Sequence, residues 1–309
     1  MTTSFSDRLS AQIRKTGSAT CVGLDPRKAS LPGELRLADD ASPEAWAASY
    51  ETFAIGVIDA VAGKVPVVKP QAAFFEQLGP AGMQALYRVV QHAHRAGLLT
   101  IMDGKRNDIG STAEAYADAY LGAGDRSPWG SDSLTVSPYL GADSLDPFIA
   151  RCDERAAGIF VLVKTSNPGG GMLQDRRSDS DQQTIYQTVA QHIAKQNATR
   201  VGASGYGPVG AVVGATYPEQ LAELRKAMPQ AYLLIPGFGA QGGGAQDVAA
   251  GFHPNGLGAV VNNSRGIIFA HQRPEYAEKF GASAWQDAVA AATDLMNQQL
   301  ASVVQPAQT

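Results

Sequence analysis

The chain is poor in the features that most readily declare a function. Only two of its 309 residues are cysteine, Cys21 and Cys152, too few for a disulfide framework and without the spacing of a zinc site. The histidines, His92, His94, His192, His253 and His271, fall in no HExxH-type arrangement, so a histidine-held metal is not expected. Excess positive charge is missing too, with 25 Lys and Arg against 29 Asp and Glu and a net charge of −4. That balance argues against a broad nucleic-acid or anionic-membrane footprint but leaves room for a local cationic pocket. No apolar run is long enough to span a bilayer. The N-terminal MTTSFSDRLSAQIRKTG reads as an amphipathic helix without the apolar core of a signal peptide. A reduced, cytoplasmic protein is the expectation.

What is present is a core. With 44% hydrophobic and 17% charged residues, the composition is that of a globular protein. Short apolar runs bounded by turn residues recur at 19–25, 65–70, 98–105, 132–139, 158–166, 209–216, 231–239 and 258–266, and each reads as a strand. Helical patterns separate them, at 43–63, 79–97, 111–122, 143–155, 181–196, 217–228 and 243–250, with a last one at 283–302. Ser42-Pro43 supplies a cap and first-turn proline for the 43–63 helix, and Gly63 its stop. Ser111-x-x-Glu114 predicts a capping box for the 111–122 helix. Near-continuous apolar strands alternating with helices mean a parallel sheet covered on both faces. This many units in this length predict a single (β/α)8 barrel over 1–309, with an N-terminal helix near 4–16 and a frayed tail near 303–309. An open doubly wound sheet is the alternative, without an early GxGxxG to support it.

In a barrel, function gathers where strands end, and here those ends are polar. They carry Asp25, then Lys69, then Asp103 and Lys105, then Lys164-Thr-Ser-Asn167. Strand alternation puts Ile101, Asp103 and Lys105 on one face and Thr100, Met102 and Gly104 on the other. Asp25, Lys69, Asp103 and Lys105 can therefore converge in one pocket. A structural ion-pair network is the bland explanation, but burying ion pairs gains little over apolar packing, so function is the better one. The last two turns, GFGAQGG (237–243) and NNSRG (262–266), have the glycine content for backbone approach to a phosphate, with Gln241 and Arg265 as side-chain donors.

The segment DGKRNDIGST (103–112) resembles the Asp-x-Lys-x-x-Asp-Ile-x-x-Thr signature of the orotidine 5′-phosphate decarboxylase family. GLDP, VVKP, TSNPGG, PGFGAQGG and NNSRG extend the resemblance over nearly the whole barrel, in the form of the family's longer bacterial branch. The resemblance implies that Asp25 and Lys69 hold ribose hydroxyls, with Lys69 extending the catalytic array, and that Asp103 and Lys105 face the C6 carboxylate. It implies that Ser166 contacts the pyrimidine and that Gln241 and Arg265 hold the phosphate. Asp108 and Thr112 would cross a homodimer interface to complete the partner's site. Pro70-Gln71 and Asn167 depart from the pattern, which leaves the local loop shapes open.

The implied chemistry suits these residues. Loss of CO2 from C6 leaves an in-plane electron pair that the ring cannot delocalise well. The sequence shows no motif for an electron-sink cofactor, so none is expected, nor a metal. A preplaced ammonium in a water-poor site is the remaining means, with Lys105 stabilising the carbanion and donating its proton. Asp103 would fix that ammonium and repel the carboxylate. Three other readings stay open: a sister Mg2+-dependent enzyme acting on a sugar phosphate, an imine-forming aldolase using Lys164, and a nucleotide-binding barrel without activity.

Overall fold

In the computed structural model, which describes residues 3–239, 243–281 and 283–304, the strands close on themselves in chain order. They are β1 (Thr20–Leu24), β2 (Val67–Pro70), β3 (Leu99–Arg106), β4 (Ser133–Val136), β5 (Gly158–Lys164), β6 (Val209–Val213), β7 (Leu233–Ile235) and β8 (Ala259–Asn263). Every neighbouring pair is parallel, and β1 pairs with β8 to close the ring. This is the (β/α)8 barrel expected from the apolar runs, and each run contains its strand except 98–105, which β3 overruns by one residue at Arg106. The open-sheet alternative is excluded by the β1–β8 pairing.

Side chains alternate between two cores. Cys21, Val67, Leu99, Ile101, Phe160, Val212, Leu234 and Val260 fill the barrel interior. Val22, Val68, Met102, Leu134, Val161 and Leu233 point outward, into a larger layer beneath the helices. The interior is stoppered at its N-terminal end by the helix Phe5–Thr16, whose Phe5, Leu9 and Ile13 pack among residues at the strand starts. Phe5 meets Phe160 edge to face at 6.0 Å. A side chain at residue 158 would occupy the same space, since a Cβ on Gly158 would lie 2.3 Å from the Phe5 ring. Polar ties hold the stopper in place: Ser10 Oγ lies 2.6 Å from Tyr232 Oη, and Arg8 pairs with buried Asp132. Burial opposes ionisation of Asp132, but its bonds to His94 and Arg8 prevail and hold its carboxyl below the usual range.

The helices begin and end largely where local chemistry predicts. Pro43–Val61 is capped by Ser42, whose Oγ accepts from the Ala45 N–H at 3.2 Å, with proline in the first turn. The predicted capping box at Ser111 is not formed: the helix starts earlier, at Gly110, with Ile109 as its cap and no side-chain cap bond. A capping box does form where none was expected, between Thr184 and Gln187 at the head of Ile185–Asn197. Short helices at Ala72–Glu76, Gly171–Gln174, Arg265–Ile268 and Pro274–Phe280 were also unexpected. At the C-terminus Val303 and Val304 donate to Leu300 O; the rest of the stretch where fraying is expected, 305–309, lies outside the described residues.

Leu9 is fully buried in the stopper, so Leu9→Ala is expected to cost about 2–5 kcal/mol of stability. Urea unfolding measures it, and a loss within error would mean that the helix is not part of the cooperative core.

Candidate active site

The C-terminal mouth of the barrel opens into a cavity of about 590 Å³, lined from strand ends all round the ring. Asp25, Lys69, Asp103, Lys105, Ser166 and Arg265 all face it. The sequence-predicted charges therefore do converge.

Asp103 is the centre of the arrangement. Its Oδ2 accepts from Lys69 Nζ at 2.5 Å and Gln71 Nε2 at 2.9 Å. Its Oδ1 accepts from Lys105 Nζ at 2.6 Å and Thr135 Oγ1 at 2.9 Å. Both lysines thus grip one carboxylate, and the remaining lone pairs are filled by neutral donors. The Asp103 and Lys69 side chains are buried, whereas that of Lys105 is 48% exposed and free to meet a ligand. Burial works to raise the Asp103 pKa, but Lys69 and then Lys105 outweigh it and hold the carboxyl far below its ordinary value. For Lys69 burial pulls downward, and Asp103 followed by Asp25 carries the net shift well above the usual lysine value.

The backbone serves the same end. Lys105 is a non-glycine residue at φ 45°, a conformation that costs about 1–3 kcal/mol. It lies where the register between β3 and β4 shifts, between Met102 and Arg106. The Thr135 hydroxyl accepts from the Lys105 N–H at 2.9 Å while donating to Asp103, so one side chain fixes both members of the motif. Thr135 was not singled out in the sequence, and Gln71 was noted only as a departure from the family pattern, not as a site residue. Thr135 was legible in principle, as a polar residue in the outer half of a strand on the inward parity. Gln71 makes an isolated bridge to Asp103 beyond the end of β2, which no local pattern announces.

Other positions complete the walls. Asp25 Oδ1 is buried with no protein donor among the described residues, an acceptor suited to a ligand hydroxyl. Opposite, the turn after β7 runs through Gly237 (φ 99°) and Gly239 (φ 72°), where side chains are disfavoured and the backbone can approach a ligand. Gln241, in the same turn, lies outside the described residues. Asn262, Asn263 and Arg27 also line the cavity and were missed as site residues.

Three sequence-noted residues do not line it. Asp108 accepts from the Ile109 N–H, and Thr112 is exposed on Gly110–Tyr120. Neither faces the cavity of its own chain. Lys164 is turned away: the β5–β6 register shifts between Leu162 and Lys164, and its Nζ pairs with Asp175. An imine-forming role in this cavity is closed to it. Among the described residues no group of three or more His, Cys, Asp or Glu is placed to hold a metal. No helix among them is long and apolar enough to cross a membrane.

Comparison with known proteins agrees with this geometry. Residues 18–280 match the model of the orotidine 5′-phosphate decarboxylase / HUMPS family. The chain is 64% identical over 299 residues to an orotidine 5′-phosphate decarboxylase of Rhodopirellula baltica, covering 96% of this chain and 98% of that one. It is 40% identical over 288 residues to the enzyme of the same name from Deinococcus radiodurans, covering 93% and 97%. The solved structure of Leishmania donovani OMP decarboxylase superposes with a TM-score of 0.75 at 30% identity, covering 97% of this chain and 98% of that one.

The ion cluster makes a stability prediction with a defined pH window. Asp103 contributes above its ordinary 3.8, and the contribution fades as pH falls through its depressed folded value. Lys69 contributes below 10.5, and that fades as pH rises through its raised folded value. Asp103→Asn, which strands a buried ammonium, is expected to cost about 3–5 kcal/mol at neutral pH. Urea unfolding should find that deficit flat between about pH 5 and pH 9 and shrinking below about pH 3; a deficit independent of pH throughout would rule out the charge pair as its source.

Proposed function

The chain belongs to the orotidine 5′-phosphate decarboxylase / HUMPS family, and from that premise we propose that it converts orotidine 5′-phosphate to UMP and CO2, the decarboxylation that completes UMP synthesis. The observation that carries the reading is the gripped carboxylate: Asp103 held between Lys69 and Lys105 at the mouth of the barrel.

In the proposed mechanism the C6 carboxylate lies against Asp103 and Lys105. The C6–carboxylate bond breaks, CO2 leaves, and the electron pair stays on C6. The Lys105 ammonium, fixed by Asp103, stabilises that pair and then transfers a proton to it, leaving an amine that is reprotonated from solvent. The Asp103 charge repels the substrate carboxylate and is relieved as neutral CO2 departs. Asp25 and Lys69 hold ribose hydroxyls, a role that the unpartnered Asp25 Oδ1 supports. Ser166 contacts the pyrimidine, and Arg265, Gln241 and the glycine turn after β7 hold the phosphate. That remote grip contributes binding energy to desolvation at C6.

Asp108 and Thr112 act in the site of a second copy, in a homodimer. Their position outside their own cavity fits that role. The barrel works as one domain, without cofactor or metal. Its two free, buried cysteines suit a reducing compartment, the cytoplasm. The Mg2+-dependent sugar-phosphate reading is disfavoured by the relatives' names and is tested directly by chelation.

Purified protein in EDTA, without added cofactor, is expected to bleach the orotidine 5′-phosphate absorbance and yield UMP. Turnover only after Mg2+ is restored would point to the sister chemistry instead. Lys105→Ala should abolish turnover while UMP binding persists in part; near-normal turnover by the folded variant would sink the mechanism. Arg265→Ala is expected to weaken substrate capture by about 2–4 kcal/mol in kcat/KM, as loss of a charge-assisted contact does.

A further inference from the structure

Lys164 is the one lysine of the barrel mouth that the proposed mechanism leaves idle, and it is placed with care. It is 1% exposed, on the strand that ends one residue before Thr165 and two before Ser166. Its Nζ pairs with Asp175, sits 4.5 Å from the centroid of the Tyr217 ring and 5.7 Å from that of Tyr186. These partners come from three places: the loop after β5, the helix Ile185–Asn197, and the turn after β6.

The loop between Lys164 and Asp175 has a tied neck. Gln174 Oε1 accepts from the Thr165 N–H at 3.0 Å, and Gln174 Nε2 donates to Thr165 Oγ1 at 2.7 Å. Thr165 Oγ1 in turn donates to Asn167 Oδ1 at 2.7 Å. Between these ties Ser166, Asn167, Gly170 and Leu173 face the cavity. The Asp175 side chain is half exposed, so the carboxylate loses little by leaving. The ammonium would lose a great deal, because it stays buried among aromatic rings without a counter-charge. The asymmetry makes Lys164 the fixed post and Asp175 the part of the loop that is held to it.

We propose that Lys164 is a positioning residue for catalysis: through Asp175 it ties the neck of the 165–175 loop and so sets Ser166 over the substrate ring, without touching substrate. The inference rests on the reading of the cavity as the decarboxylation site. An opened neck would displace Ser166 and cost affinity for the ring and alignment at C6, and misplacement of about 1 Å costs up to about 100-fold in rate.

The test uses Asp175, whose exposed side chain can be changed without opening the core. Asp175→Asn strands the Lys164 ammonium and is expected to lower the Tm by several degrees while staying folded at the assay temperature, to lose roughly 10- to 100-fold in kcat/KM for orotidine 5′-phosphate, and to be cut faster by trypsin at Arg176 or Arg177. Asp175→Glu, which restores the charge, should recover most of the activity. In a double-mutant cycle Lys164→Met with Asp175→Asn should cost no more than the worse single change. Wild-type kcat/KM in Asp175→Asn, or fully additive losses in the cycle, would overturn the proposal. A wild-type protein that does not turn over orotidine 5′-phosphate would instead overturn the reading of the site. Tryptic cleavage of Asp175→Asn at the wild-type rate would then overturn the tied neck as well.

Discussion

One carboxylate organises the mouth of this barrel. Asp103 stands between two ammonium groups, one buried and one exposed, and the surrounding structure can be read as the means of keeping it ionised there. A lone carboxylate at that depth would take up a proton. Lys69 prevents this from β2, Lys105 from the end of β3, and the hydroxyl of Thr135 and the amide of Gln71 occupy what the lysines leave. The strained backbone of Lys105 follows from the same demand, because both residues of an Asp-x-Lys step must reach one point. Preorganised charge of this kind needs no rearrangement at the moment of reaction, which is where electrostatic catalysis gains its advantage.

Such a cluster is costly to assemble and must be supported from below. The interior beneath it is filled with buried apolar side chains, and the helix Phe5–Thr16 closes its far end. The barrel thereby separates two jobs. Its lower half supplies burial and stiffness, and its upper half holds charges that a less rigid frame would let relax into solvent.

Most of the frame was legible in the sequence because the strands are buried on both faces, so each appears as an apolar run with a polar end. The Asp-x-Lys motif was legible for the same reason: alternation aims Asp103 inward, as Ile101 below it is aimed. What alternation cannot deliver is a register shift, which depends on the neighbouring strand. Lys164 shows the consequence. By parity it belongs with Leu162 in the cavity, yet the shift between them sends it outward to Asp175 and the tyrosines. Gln71 was hidden differently, since its bridge to Asp103 is a tertiary contact made beyond the strand. The capping box expected at Ser111 failed because the helix begins earlier, at Gly110, which moves Ser111 into the first turn.

The last helix, Trp285–Ala301, returns to the start of β1, where Asn297 Oδ1 accepts from Ser18 Oγ and Thr20 Oγ1, each at 2.7 Å. The first helix lies across the same end of the barrel. Both ends of the described chain therefore leave from the face opposite the cavity. For anyone joining this barrel to another protein, that geometry is permissive: a neighbour attached at either end hangs beneath the barrel, and the path by which small molecules enter and leave stays open above it.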